Sequence, residues 1–213
     1  MLEKEIYWAG QFWIVNGQRS LFWPSHKTLI LSDLHLGKSA HFRKHGIPIP
    51  SEIQTKDLNN LKSTIQLYNP EKILIVGDLF HAGINKDLEE FFHLTQEFKE
   101  LEWILIRGNH DRVASKKIHD LGIHSIFTEL QMEGILFTHE MKNEIDIPQI
   151  SGHFHCGVEI KMPNRSRLRL PAFLINDKHL LLPAFSEFTG LDTRIPLKAK
   201  EIYAVHENEI LEL

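Results

Sequence analysis

Short apolar runs recur along the middle of this chain, and each breaks off in residues that a buried strand has no use for. Thr28-Leu-Ile-Leu31 leads into Ser32-Asp-Leu-His-Leu-Gly-Lys38, and Lys72-Ile-Leu-Ile-Val76 into Gly77-Asp-Leu-Phe-His81. Trp103-Ile-Leu-Ile106 ends in Arg107-Gly-Asn-His-Asp-Arg112, Ile135-Leu-Phe137 in Thr138-His-Glu140, and Ile147–Ile150 in Ser151-Gly-His-Phe-His155. Unbroken apolarity, rather than alternation, marks strands covered on both faces, as in a parallel sheet. Between the runs the period changes. Ser51 is placed to cap a helix through about Tyr68, with Leu58, Leu61 and Ile65 on one face. A second helix is expected from about Lys86 to Glu100, with Leu88, Phe91, Phe92, Thr95 and Phe98 spaced for burial, and a short third to about Asp120.

Strand, polar tip, helix, strand again is a layered α/β pattern. Ahead of it, 3–8, 12–15 and 19–23 are aromatic and β-branched, the last two separated by the turn dipeptide Asn16-Gly17. A hairpin is expected there, its aromatics packed on a core rather than serving as a base-stacking platform. From 158 on, alternating runs (158–162, 167–170, 172–175, 179–182, 201–205, 208–212) predict a second, antiparallel-rich sheet. The expected fold is two sheets face to face with helices outside, one domain over 1–213 with the 1–24 hairpin packed on it.

Composition narrows the function classes. At 213 residues with 42% hydrophobic and 24% charged content, the chain has the make-up of an ordinary globular protein. No apolar run approaches the roughly 18 residues that span a bilayer, and the N-terminus lacks a signal-peptide pattern, so cytoplasm is the expected compartment. The lone Cys156 excludes an intramolecular disulfide. A net charge of −4 speaks against a broad nucleic-acid-binding face, so an anionic substrate must be held locally. The 14 histidines are the unusual quantity, and several stand in the strand tips.

The tips supply Asp33, His35, Asp78, Asn109, His110, His139, His153 and His155. In strand-like alternation Asp33 and His35 project to the same side, so a carboxylate and an imidazole converge on one cation. A single histidine at a strand end is more often structural, but five such tips in succession are not. Carboxylate, imidazole and amide oxygen without thiolate suit Mn²⁺, Fe²⁺ or Zn²⁺ rather than a cysteine-rich structural site. The donors are too many for one ion. Two ions about 3.5–4 Å apart would use them all and suit in-line displacement at phosphorus.

Asp33-x-His35, Gly77-Asp78, Gly108-Asn-His-Asp111, His139 and Gly152-His-x-His155 resemble the motif set of the calcineurin-like metallophosphoesterase superfamily, over about 25–190. The resemblance implies a four-layer α/β/β/α sandwich and two metal ions, Mn²⁺ first. Asp33, His35, Asp78 and His155 would hold one; Asp78, Asn109, His139 and His153 would hold the other, with Asp78 bridging. It implies attack by a metal-bound hydroxide, with His110 beside the leaving oxygen as general acid and Asp111 orienting it. More narrowly, Phe42-Arg-x-x-Gly-Ile-Pro-x-Pro50, Gly77-Asp-Leu-Phe-His81 and Leu182-Pro-Ala-Phe-x-x-Phe-Thr-Gly190 are similar to the bacterial ligase-associated DNA-damage-response phosphoesterases. That group implies DNA as substrate and, as partners, an ATP-dependent DNA ligase and a DEXH helicase. The group tends to have Pro after the last His, where this chain has Cys156, expected here as a small buried residue.

Rival readings fare worse. A lipid-A-pathway pyrophosphatase would carry Arg in place of His110 and an apolar lid. A fold-retaining scaffold would have lost ligands. A small nucleotide or other small phosphoester remains the alternative substrate. Lys38, His41, Arg43, Lys44 and His45 make a basic loop leaving the site, and Lys38, Arg43 and Lys44, with Arg112, are the expected substrate contacts.

Overall fold

The structure, a computed structural model, describes residues 2–39, 42, 46, 52–81, 87–163, 165–195 and 197–213. The first sheet has seven strands in chain order: β1 (Glu3–Trp8), β2 (Gln11–Asn16), β3 (Leu21–Trp23), β4 (Thr28–Leu31), β5 (Lys72–Val76), β6 (Glu102–Ile106) and β7 (Ser125–Phe127). Strands β1 to β4 pair antiparallel and β4 to β7 parallel. The N-terminal hairpin, expected to pack on the domain, forms the edge of this sheet. Trp8, Trp13 and Trp23 point into the core, while Tyr7 and Phe12 are exposed on the other face.

Helices α1 (Glu52–Tyr68), α2 (Asp87–Glu97) and α3 (Ser115–Asp120) cross between the parallel strands and cover one face of the first sheet. Leu58, Leu61 and Ile65 of α1 are buried as the spacing predicts. On α2 the buried stripe is Leu88, Phe91, Leu94 and Thr95, and Phe92 faces outward. Ser51, the expected cap of α1, lies outside the described residues.

The second sheet runs β15 (Glu209–Glu212), β14 (Glu201–His206), β12 (Arg167–Ile175), β13 (His179–Leu181), β10 (Gln149–Ser151), β9 (Ile135–Thr138) and β8 (Glu129–Met132), with β11 (Gly157–Lys161) paired to β12. It is mixed: β9, β10 and β13 are parallel and the rest antiparallel. The two runs expected on either side of Pro171 are one strand. Pro171 closes the ladder to β11, and Ala172 opens the one to β14, so the ladder changes partner at the residue without an N–H. Strands β7 and β8 escape the sequence pattern because both are short and partly exposed, and β8 is largely polar.

The sheets face each other across a core of Trp13, Val15, Ile30, Val76 and Ile106 from one and Phe137, Ile150, Phe173 and Leu182 from the other. The expected sandwich of two mixed sheets with helices is present. Its far layer differs in kind: among the described residues β11 with Ile195, Leu197 and Ala199, not a helix, packs on the outer face of the second sheet. Among the described residues, no helix is long and apolar enough to cross a membrane.

Candidate metal centre

Because β4, β5 and β6 are parallel in one sheet and β9 and β10 in the other, five carboxyl ends meet at one edge of the sandwich, where open α/β sheets bind ligands. The chain leaves each strand abruptly. Asp33, His35, Asp78, His153 and His155 all have left-handed backbones, with φ of 56°, 50°, 50°, 71° and 49°. Such angles are rare for residues with a Cβ and persist only where the surroundings enforce them. Asp33 and His35 thus converge through two left-handed residues past the end of β4, not through strand alternation. The 33–36 segment is pinned to the next tip instead: Asp33, His35 and Leu36 N–H donate to the carbonyls of Gly77, Asp78 and Leu79 at 3.1, 2.9 and 2.8 Å.

Two clusters of donor atoms result. In the first, His35 Nε2 lies 2.9 Å from His155 Nε2, and Asp33 Oδ1 lies 3.9 and 3.5 Å from those two nitrogens. Asp33 Oδ1 is buried with no hydrogen-bond partner. In the second, His139 Nε2 is 3.3 Å from Asp78 Oδ2 and 3.1 Å from Asn109 Oδ1, and His153 Nδ1 is 3.2 Å from both Asn109 Oδ1 and His139 Nε2. Lone-pair donors of one kind crowd together, and a buried carboxylate oxygen has no hydrogen-bond partner. A cation would relieve both, and the N/O set fits a borderline or hard divalent ion.

The surroundings aim the donors. His139 Nδ1 sits 3.1 Å from the Val76 carbonyl, which leaves Nε2 to face the cluster. Asp33 Oδ2 accepts from His153 N–H at 3.1 Å, and Asp78 Oδ1 from His110 N–H at 2.9 Å. Gly77, at φ 84°, leaves room for the His139 ring, with which a Cβ would collide. Burial pushes the His35 imidazole well below its ordinary value, so it stands neutral and ready to ligate. Burial alone would also lower His139, but its hydrogen bond to Asp78 and the Asp33 and Asp78 charges raise it to about 9. Asp78 answers in the other direction: burial would raise it, and His139 holds it down.

The remaining expected residues are placed as follows. His110 is exposed beside the first cluster, its ring 5.4 Å from that of His35. Asp111 does not hold that ring. It is buried, and its two oxygens accept from Phe80 N–H at 2.9 Å and Gly108 N–H at 2.8 Å, so it ties the second tip to the third through the backbone. Burial raises it to about 6. Arg112 folds back, its Nε donating to the Asn109 carbonyl at 3.1 Å. Lys38 lies over the Phe188 ring at 5.6 Å, lowered by burial and held up by Asp33 and Asp78. Arg43 and Lys44 lie outside the described residues. Cys156 is fully buried, and burial pushes its thiol well up, as a structural residue requires. The 182–186 part of the motif Leu182–Gly190 braces the site through its backbone: Leu182, Phe185 and Ser186 N–H donate to the Ser151, Ser32 and Asp33 carbonyls.

Residues 26–156 match the family model for calcineurin-like phosphoesterases. The chain belongs to that family. Calcineurin-like phosphoesterases are metal-dependent, and the family uses two divalent metals, in keeping with two donor clusters here. Among solved structures, nuclease MPE from Pseudomonas putida is similar over 99% of this chain and 100% of its own, at 27% identity and a TM-score of 0.83. Two others are more distant. Protein AQ665 of unknown function from Aquifex aeolicus has a TM-score of 0.41 at 18% identity over 59% and 77% of the two chains. Yfce, a phosphoesterase from E. coli, has 0.43 at 13% over 87% and 97%. No curated protein matches the chain. This calcineurin-like phosphoesterase is thus a metal-dependent hydrolase of phosphoesters.

Proposed function

We propose that this enzyme is a two-metal phosphodiesterase that cleaves DNA during repair. The observation that carries the reading is the pair of adjacent donor clusters, Asp33, His35 and His155 beside Asp78, His139 and His153. Asp33, His35, Asp78 and His155 would hold one ion, and Asp78, Asn109, His139 and His153 the other. Bound there, a pair of divalent ions, Mn²⁺ first, would supply charge neutralisation at phosphorus and activation of a water. The protein's own work lies around that. The clusters fix the phosphoryl group, and Lys38 meets its negative charge. When the bond from phosphorus to the leaving oxygen breaks, that oxygen takes the bonding pair and a proton from His110. Arg112, Arg43 and Lys44 are proposed to contact phosphates further along the strand.

DNA as substrate is supported by the full-length likeness to a nuclease and by the basic loop in an acidic protein. An ATP-dependent DNA ligase and a DEXH helicase as partners rest on the motif resemblance, and the cytoplasm as compartment on the hydropathy pattern of the sequence. The test is to strip the protein with chelator, reload it with Mn²⁺ and supply single-stranded oligothymidylate. Cleavage of the oligomer, absent without metal, is expected. Hydrolysis of chromogenic esters with no cleavage of any DNA, single-stranded or nicked, would turn the reading to a small phosphoester.

A further inference from the structure

A lysine that meets a phosphate needs a partner that holds its ammonium without cancelling its charge. The side chain is long, so a fixed ammonium has to be held against much rotamer freedom. Burial works against the Lys38 charge, and Asp33 and Asp78 favour it, but both carboxylates are engaged once divalent ions occupy the clusters. A further acidic neighbour would hold the ammonium and repel the phosphoryl group as well. An aromatic face attracts a cation and carries no net charge. The Phe188 ring has that place: Lys38 Nζ lies over it, 5.6 Å from the centroid.

Phe188 is only half-buried and stands on a surface turn, yet the turn is fastened from three sides. Phe188 N–H donates to Ser186 Oγ at 3.1 Å, and the Ser186 hydroxyl bonds in turn to the carboxylate of Asp57 on α1. Asp57 Oδ1 also accepts from Glu187 N–H at 3.0 Å. Arg19, between β2 and β3, donates through Nη1 to the Ser186 carbonyl at 3.1 Å, and the Thr189 hydroxyl donates to the same oxygen at 3.2 Å. Toward the site, Ser186 N–H donates to the Asp33 carbonyl at 3.4 Å. Burial raises Asp57 to about 6, against its hydrogen bonds to Ser186 and Glu187, so the carboxylate is ionised at neutral pH. A buried carboxylate is costly unless it is bonded, and this one is bonded to a turn that packs little of the core.

We infer that Phe188 is a positioning residue for substrate binding: fixed through Ser186, Asp57 and Arg19, its ring seats the Lys38 ammonium beside the first cluster, where it meets the charge of the phosphoryl group. The inference rests on the reading of Lys38 as a phosphate contact. The seat is the ring itself, so tyrosine at position 188 serves and leucine does not.

The experiment measures inorganic phosphate as a competitive inhibitor of bis(p-nitrophenyl) phosphate hydrolysis by the Mn²⁺-loaded protein. Wild type is compared with Lys38→Ala, Phe188→Leu, Phe188→Tyr, Ser186→Ala and the Lys38→Ala/Phe188→Leu double variant. Mn²⁺ content and thermal unfolding are measured alongside. Lys38→Ala is expected to raise the inhibition constant roughly 10-fold or more, as for a lost charged hydrogen bond. Phe188→Leu should raise it roughly 2- to 5-fold, the worth of an exposed cation–ring contact, and Ser186→Ala should move it the same way. Phe188→Tyr should stay near wild type, and every variant should keep its Mn²⁺. In the Lys38→Ala background Phe188→Leu should add nothing. An effect of Phe188→Leu that persists without Lys38, a Phe188→Tyr as weak as Phe188→Leu, or loss of Mn²⁺ in Phe188→Leu would each overturn the inference. Lys38→Ala alone tests the underlying reading: an unchanged constant removes Lys38 from the phosphate. A weakened Lys38→Ala beside an unchanged Phe188→Leu sinks only the role of Phe188.

Discussion

His139 shows how this site waits for its metal. With its pKa raised to about 9, it is protonated in the metal-free protein at neutral pH, and its charge balances Asp78. A raised histidine contributes stability that is fully present below its ordinary value of 6.5 and is lost as pH rises through 9. The metal-free protein should therefore lose about 1–3 kcal/mol of unfolding free energy between those limits, and His139→Gln should flatten that slope. Loading Mn²⁺ at the second cluster must displace the proton. Calorimetry in buffers of different ionisation enthalpy should find close to one proton released per chain at pH 7 and fewer above pH 9; no release at either pH would contradict the assignment. His110 differs in kind. His110→Ala should keep its metal and fold while kcat on oligothymidylate falls by roughly 10²–10⁴, whereas His153→Ala should lose metal. Comparable metal loss in both would remove His110 from the proton-donor role.

The strand tips were legible in the sequence because their apolar runs end in donor residues, and β4, β5, β6 and β9 carry them as expected. What sequence could not show is how the donors turn inward. Period-two alternation was the wrong device for Asp33 and His35, because their left-handed φ values come from contacts with the Gly77–Leu79 backbone, a partner about 45 residues away in sequence. Asp111 misled for a similar reason. The resemblance implied that it orients His110, yet a buried carboxylate goes where the backbone N–H groups are. Gly77 makes the same point as a prediction. Gly77→Ala puts a Cβ on a left-handed residue against His139, which should cost about 1–2 kcal/mol for the backbone alone and weaken metal binding at the second cluster first. Normal stability with full metal content would mean that this turn is not as constrained as described. The basic loop carries its own expectation: neutralising Lys38, Arg43 and Lys44 together should raise KM for DNA and flatten its salt dependence, by about one unit of slope or less per lost phosphate contact. Equal losses on a small chromogenic diester would assign the loop to the architecture of the metal site.

The sandwich explains why one acidic chain can gather so many histidines without unfolding. Each sheet is buried on the face it shows the other, the helices seal the first from outside, and the donors are confined to the edge where both sets of parallel strands end. Neither sheet alone could make the site: Asp33, His35, Asp78 and Asn109 come from one, His139, His153 and His155 from the other. Asp78 is the residue that would touch both ions, so Asp78→Asn should lose more metal than Asn109→Ala. The most direct measurement is the metal stoichiometry of the chelated and Mn²⁺-reloaded protein, followed with activity as ions are added. The two-cluster geometry predicts two Mn²⁺ per chain, with activity arriving only as the second binds. Full activity at one Mn²⁺ per chain would contradict it.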